Sequence, residues 1–287
     1  MAAEGPDGGQ HPVGHVGPVG YVGYRTVGPP GVHRGLPSPA LTLVVALDEP
    51  LVLAAHPDPR QPPDRYDALV GGLHTTPALI HHEGRPQSGV QLALPPLLAR
   101  TLLGVPAGDL AGLDAHLADV AAPLAARLRD RLLDAPGRTA RRAALDDVLR
   151  RALAAGQDRP AVPAEVTRAC HLIARSRGRA SAAALARDVG WSPRRLLTAF
   201  RRDVGLSPKE LARVTRFHHA RRHLLATAAA GRPLDLARLA AGTGHYDQAH
   251  LAREFRALAG CPPSQLVAEE RRFVQAPPAH HGAGSPA

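Results

Sequence analysis

The chain has 287 residues, of which 44% are apolar and 21% charged, so it can form two ordinary domains and is not disordered by composition. Its net charge of +10 is placed unevenly, because residues 163–274 contain 20 Lys and Arg against 9 Asp and Glu. Such a segment attracts phosphates, although a solvated basic face would have the same composition. The chain has only two cysteines, Cys170 and Cys261, which excludes a disulfide framework. We expect both to be small core residues at apolar helical positions.

Residues 1–20 are rich in Gly, Pro and His, which predicts a flexible lead-in. The opening stretch MAAEGPDGGQHPVG has no apolar core and no early basic residue, so it does not resemble a signal peptide. The longest apolar run is interrupted by Asp48, Glu49 and Pro50, which argues against a membrane span. We therefore expect a cytoplasmic protein.

Residues 21–155 predict one α+β domain that is β-rich and barrel-like at first and helical from Pro95 onward. Short apolar runs bounded by turn residues predict strands at 40–47, 51–55, 68–74, 77–82 and 89–94. Leucines then recur at helical spacing between 107 and 154, where they can form either an ordinary core or a dimer interface.

Residues 156–163 predict a linker, residues 164–272 an all-helical domain and residues 273–287 a flexible tail. Cap residues and first-turn prolines predict helices at 164–176, 181–188, 193–203, 208–226, 234–242, 248–259 and 263–271.

One unit occurs twice in the helical domain. Apolar positions of the two copies lie 55 residues apart after the glycine turn and 54 residues apart before it. The shared framework predicts a helix-turn-helix in which a small alanine lets two helices cross closely. Its core residues are Ala186, Gly190, Leu196 and Phe200 in the first copy, and Ala240, Gly244, Leu251 and Phe255 in the second.

The outward positions differ between the copies. Those of the first copy are Arg194, Arg195, Leu197, Thr198 and Arg201, and those of the second are Gln248, Ala249, Ala252, Arg253 and Arg256. Arginine suits guanine edges or phosphates, glutamine suits adenine, and threonine can touch a thymine methyl. The alternatives are an amphipathic helix with arginines for solubility and, for Arg253, an ion pair with Asp247 or a neighbouring carboxylate.

The helix predicted at 208–226 joins the two copies and would be about 28 Å long. A rod of this length can hold two reading helices about one DNA turn apart on one side of the duplex. Two different readers on one chain would specify a longer site than one reader.

These segments resemble the AraC/XylS family of bacterial transcription regulators over about 165–271. The resemblance rests on LARDVGWSPRRLLTAFRRDVGLSPKEL, RFHHARRHLLA and LARLAAGTGHYDQAHLAREFRALAGCPPSQL. GPPGVHRGLPSPALTLVVALDEP and GGLHTTPALIHHEGRPQSGVQLALPPLLARTLLGVP are similar to the sensor-like region of actinobacterial members. The resemblance implies a DNA-binding regulator with an effector or dimerisation domain, and with double-stranded DNA, an unidentified small-molecule effector, RNA polymerase and a second copy of the chain as partners.

The chain departs from the family pattern at two places. His245 stands where an aromatic residue usually follows Gly244, and we expect Tyr246 to compensate in the packing; Pro193 lies inside the first reading helix.

Three rival functions compete with this interpretation. An enzyme fused to this module, as in Ada-type alkylation-response proteins, needs reactive cysteines in the first 160 residues, where there are none. A metal site would draw on His33, His56, His74, His81 and His82, but their spacing is not that of metal ligands, and His81 and His82 would face opposite ways on a strand. We predict no catalytic residue, metal or cofactor. Two alternatives to a sequence-specific, effector-controlled regulator stay open: a non-specific nucleic-acid binder, and an effector-independent regulator whose N-terminal domain only mediates protein contacts.

Overall fold

The computed structural model describes residues 14–17, 19–26 and 30–274. It confirms the α+β class, with a sheet-rich region followed by a helical region. The strands form two antiparallel sheets that do not close, so the barrel-like expectation is corrected to two open sheets.

The first sheet has six strands in the order β1-β2-β9-β4-β7-β10, and the second has four in the order β3-β8-β5-β6. The strands are β1 (Gly14–Val16), β2 (Val19–Thr26), β3 (Gly31–Gly35), β4 (Leu41–Ala46), β5 (Leu51–Ala55), β6 (Asp64–Tyr66), β7 (Ala68–Gly71), β8 (Ala78–His82), β9 (Gln87–Leu94) and β10 (Asp114–His116).

Cross-strand apolar pairs set the register of the large sheet. Leu41, Leu43 and Val45 on β4 lie opposite Leu94, Leu92 and Val90 on β9, and all six side chains are buried. Because side chains alternate along a strand, a slip of one residue would turn this whole row away from the core.

Five of the described strands were not predicted from the sequence: β1, β2, β3, β6 and β10. β1 and the start of β2 lie within the segment assigned to the flexible lead-in, so that segment reaches too far; residues 1–13 are outside the described residues. The tail assigned to 273–287 also lies outside them from residue 275, whereas the last helix continues to Val274.

Three helices close the first region: α1 (Ala99–Leu103), α2 (Leu117–Asp134) and α3 (Gly137–Ala155). Two 3-10 turns, Pro96–Leu98 and Ala107–Leu110, flank α1. The leucines of α2 and α3 are buried in the main core, with the exception of Leu133 and the partly buried Leu153.

The second region contains seven helices among the described residues: α4 (Ala164–Arg175), α5 (Ala182–Asp188), α6 (Pro193–Asp203), α7 (Pro208–Ala229), α8 (Leu236–Thr243), α9 (Gln248–Ala259) and α10 (Pro263–Val274). The helices α5, α6 and α9 are capped by Ser181, Ser192 and Asp247, because each of these side chains accepts a hydrogen bond from a backbone N–H of the first turn. Pro193 therefore occupies the first position of α6, where a proline costs no hydrogen bond.

The two regions share one continuous apolar core. Buried residues of the six-stranded sheet, of α1–α3 and of the helical region form a single cluster, whereas those of the four-stranded sheet form a second, smaller cluster with Val44 and Leu69. The 3-10 turn Ala107–Leu110 packs against α6. None of the described helices is long and apolar enough to cross a membrane.

Candidate nucleic-acid interface

The first repeated unit, α5 and α6, forms a helix-turn-helix around a small core. Ala186, Leu196 and Phe200 are almost fully buried where the helices cross, and the N–H of Trp191 donates to the carbonyl of Ala186. Gly190 follows the end of α5 and has φ +69°, a backbone conformation that residues with a Cβ rarely adopt.

The outward face of α6 is polar and basic. Arg194, Arg195, Thr198 and Arg201 are exposed, and Leu197 is half-buried beside them. The Thr198 hydroxyl donates to the carbonyl of Arg194 at 3.1 Å, which leaves its lone pairs and its methyl group available. The Arg195 guanidinium stacks on the Trp191 ring, 4.2 Å from its centroid, so its orientation is restrained.

An open groove of about 600 Å³ runs along this face. Arg194, Arg195, Thr198 and Arg202 line it from α6, together with Trp191 from the turn, and Glu165 from α4 lines it as well. Three guanidinium groups in one groove favour phosphate oxygens, whereas the Glu165 carboxylate repels them and limits how closely a phosphate can approach α4.

The second unit, α8 and α9, repeats this arrangement with a different surface. Ala240, Leu251 and Phe255 are buried in its core, and Gly244 ends α8 in the left-handed conformation with φ +80°. Gln248, Ala249, Arg253 and Arg256 are exposed on α9, and Ala252 is half-buried.

The turn of the second unit differs from the expectation. His245 is buried, and its imidazole bonds to Thr243 Oγ1 at 3.0 Å and to Glu254 Oε2 at 2.7 Å. Tyr246 does not compensate for the missing aromatic residue, because its side chain is 93% exposed. A polar network therefore replaces the usual apolar packing.

Glu254 is the centre of that network. Its carboxylate accepts from Arg213 and Arg216 of α7 at 3.2 Å each, as well as bonding to His245. Burial alone would raise the pKa of Glu254, but the His245 hydrogen bond and the two arginines hold it below its ordinary value. The Asp247 side chain caps α9, and the Glu254 carboxylate bonds to His245, Arg213 and Arg216. Among the described contacts Arg253 therefore pairs with neither carboxylate, and its side chain lies on the outer surface.

The central helix α7 carries both units. It has 22 residues and is therefore about 33 Å long, somewhat longer than predicted. Phe217 of α7 packs edge-on against Phe255 of α9 with ring centroids 5.0 Å apart.

The cysteines and the histidines of the sheet region fulfil simpler roles. Cys261 is buried as expected, although in the turn between α9 and α10, and Cys170 is half-buried on α4. His56 bonds to Asp114 at 3.0 Å, and His81 and His82 face opposite sides of β8. Within the described ranges, no three potential ligands come close enough together to hold a metal ion.

Comparison with known proteins identifies the helical region. The family model described as "Helix-turn-helix domain" matches residues 185–269, from within α5 into α10 and so across both units. This region is an AraC-type helix-turn-helix domain. No curated protein sequence matches the chain.

Solved structures show the fold around the AraC-type domain. A single-substitution form of ToxT from Vibrio cholerae, solved in the apo state, has 7% identity and a TM-score of 0.54, covering 88% of this chain and 97% of that one. Unsaturated fatty acid-bound wild-type ToxT from the same organism has 9% identity and a TM-score of 0.51, covering 88% and 96%. Together the domain and the fold support a DNA-binding transcription regulator, a class of proteins that are generally not enzymes.

The structure also places two residues at the α6 groove that the sequence did not indicate, Glu165 and Trp191. For Tyr246, which was expected to pack, the sequence held a signal of its exposure. The change in repeat offset from 54 to 55 means that the second turn has one extra residue, and the structure exposes that residue's side chain.

Proposed function

We propose that this protein is a sequence-specific transcription regulator whose AraC-type domain reads two unlike DNA boxes with α6 and α9. The observation that carries the proposal is the pairing of one framework with two outward faces: Phe200 and Phe255 are equally buried, while the exposed residues around them differ. A non-specific binder gains nothing from two differentiated surfaces, because the phosphate backbone is the same everywhere.

In the first box, Arg194, Leu197, Thr198 and Arg201 read base edges. A guanidinium reads a guanine through O6 and N7, and the threonine methyl and Leu197 can contact a thymine methyl. Arg195 holds a phosphate instead, since stacking on Trp191 fixes its direction along the groove.

In the second box, Gln248 reads an adenine and Arg253 a guanine. Ala249 and Ala252 offer apolar contact only, and Arg256 is placed to hold the backbone. The second box therefore specifies fewer base pairs than the first.

We assign the sheet-rich region with α1–α3, up to residue 155, to a sensor domain, 156–163 to a linker and 164–272 to the DNA-binding domain. Because ToxT, which has the same fold, was solved both without ligand and with an unsaturated fatty acid, we propose that a small molecule bound to the sensor domain controls this regulator. RNA polymerase and a second copy of the chain are the protein partners we propose, and the cytoplasm is its location.

The test is selection of binding sequences by the full-length protein from a random DNA pool at about 150 mM salt. We expect two non-identical boxes whose centres lie about 10 base pairs apart. One box alone would assign α9 to backbone contacts. Enrichment of no sequence, with affinity that falls steeply as salt rises, would replace the proposal by non-specific binding.

A further inference from the structure

The sheet-rich region contacts both reading helices, and it does so at equivalent positions. The two places are the carboxyl ends of α6 and α9, around Gly205 and Gly260, which are 55 residues apart in the repeat. A Cβ at Gly205 would lie 3.0 Å from the Ala107 carbonyl oxygen, and one at Gly260 would lie 3.0 Å from Arg34 Nη1.

The contact with α6 is close and polar. Arg100 Nη2 donates to Asp203 Oδ1 at 2.9 Å, and Asp203 is only 2% exposed. Burial alone would raise the pKa of Asp203, but hydrogen bonds from Arg202 and Arg100 hold it below its ordinary value. Gly108 sits directly on the helix end, because a Cβ there would lie 2.3 Å from the carbonyl oxygens of Arg201 and Arg202.

The contact with α9 uses a second arginine. Arg34 Nη1 donates to the carbonyl of Ala259, the last residue of α9, at 3.2 Å. The same guanidinium binds both carboxylate oxygens of Glu269 on α10, at 2.8 and 3.2 Å. Arg34 therefore binds an unpaired carbonyl at the end of α9, and Arg100 binds the side chain of the last residue of α6.

Both contacts leave the DNA-facing residues free. A recognition helix meets base edges mainly with its amino-terminal residues, and Arg194, Thr198 and Gln248 in the leading parts of α6 and α9 are exposed. The sheet region thus supports each reading helix from behind while its reading surface stays open.

We propose that Arg34 and Arg100 are positioning residues with which the sheet region fixes the relative placement of α6 and α9, and so the spacing of the two boxes that the protein accepts. The proposal rests on the proposed function for its DNA consequence, and on the contacts alone for its mechanical part. The central helix α7 sets the distance between the units, and the two arginines set the direction in which each reading helix points.

The first experiment varies the spacing of the selected boxes. Kd is measured for duplexes with the selected spacing and with one or two base pairs added or removed, using the full-length chain and the double variant Arg34→Ala/Arg100→Ala. We expect the penalty for wrong spacing to fall about fivefold or more in the variant, while the preference within each box is unchanged.

The matched control is Arg60→Ala/Arg151→Ala. It removes two positive charges from the same region, at exposed ion pairs with Asp58 and Asp147 that touch neither reading helix. The control should keep the spacing penalty of the original protein. An unchanged penalty in Arg34→Ala/Arg100→Ala would overturn the proposal, because α7 would then fix the spacing alone.

The second experiment needs no DNA. Spin labels are placed on Thr198→Cys and Ala249→Cys, with Cys170 and Cys261 changed to alanine, and the distance between them is measured by pulsed electron resonance. We expect a narrow distribution that broadens in Arg34→Ala/Arg100→Ala but not in the control.

This second readout separates the two ideas. Broadening without any selected DNA motif would retain the positioning role and refute sequence reading. A selected motif with no broadening would retain the reading and overturn the positioning role. If the alanine variant does not fold, Arg34→Lys/Arg100→Lys, which keeps the charge but loses the fork geometry, and Gly108→Ala, which forces the α6 contact apart, undergo the same two measurements.

Discussion

The arginines of α6 offer contacts of two kinds, and single substitutions can tell them apart. Arg194→Ala or Arg201→Ala should cost about 1–3 kcal/mol of binding and relax the preference at one or two base pairs, because the role we propose for each guanidinium is to read a base edge. Competition binding against a panel of single-base operator variants measures both effects.

Arg195→Ala is the control for these variants, since it removes the same charge from the same helix. As a phosphate contact it should weaken binding equally for all sequences and lower the salt dependence by about one charge. A uniform loss for Arg194→Ala as well would move that residue to the backbone contacts.

Glu254 should make the second unit sensitive to acid. Its pKa is lowered in the folded protein from an ordinary value of 4.5, so the carboxylate stabilises the fold above that value, and this stability is lost as the pH falls through the lower folded pKa. Glu254→Gln removes the charged partner of His245, Arg213 and Arg216 and should cost about 2–3 kcal/mol at pH 7. Denaturant unfolding at pH 7 and near pH 3.5 measures both parts.

The exposed Glu83→Gln is the comparison for that experiment, because Glu83 pairs only loosely with Arg65 at 3.6 Å. We expect the stability cost of Glu254→Gln to shrink as the pH drops, since the original protein then loses the same charge. A cost that is independent of pH would mean that packing, not charge, accounts for the role of Glu254.

At the scale of the element, α7 depends on its first turn. Ser207 and Glu210 form a reciprocal capping box, in which each side chain bonds to the backbone N–H of the other residue. Ser207→Ala should cost about 1 kcal/mol and lower Tm by about 2 °C, measured by calorimetry. Ser264→Ala, at an exposed serine in the first turn of α10, should leave Tm within error, and an equal fall in both variants would remove the cap as the cause.

Helices whose ends are set by nearby cap residues and glycine turns were predictable from the sequence. The bounds of α6 and α9 were predicted correctly because Ser192, Pro193, Asp247 and the following glycine turns act within a few residues of the chain. Strands β2 and β3 were missed, because their glycines and polar residues hide the alternation and their pairing depends on the distant strands β9 and β8.

In the candidate site, too, features set by nearby residues were predictable and features set by distant residues were not. Exposure of the outward residues of α6 and α9 follows from the helical period, so the sequence indicated it. The roles of Arg34 and Arg100 could not be inferred, since each resembles an ordinary surface arginine until folding brings it to a helix end 225 or 103 residues away.

For the whole molecule, the position of the charge separates two tasks. The helical region contains the positive excess and the sheet-rich region is nearly neutral, so the attraction to DNA that we propose belongs to the helical region. Because the sheet region touches α6 and α9 from behind, a change in its own structure could reach both readers without contact with DNA.

A core that is continuous through both regions predicts that they unfold together. Leu92 of the sheet, Leu110 beside α6 and Phe200 of the first reading unit belong to one buried cluster, so separating the regions would expose apolar surface on both sides. Calorimetry of the full-length chain should show one transition with equal van't Hoff and calorimetric enthalpies.

Gly108→Ala, which pushes the 3-10 turn away from α6, should lower Tm and make the van't Hoff enthalpy smaller than the calorimetric enthalpy. Two separated transitions in the original protein would show instead that the shared core is too weak to couple the unfolding of the two regions.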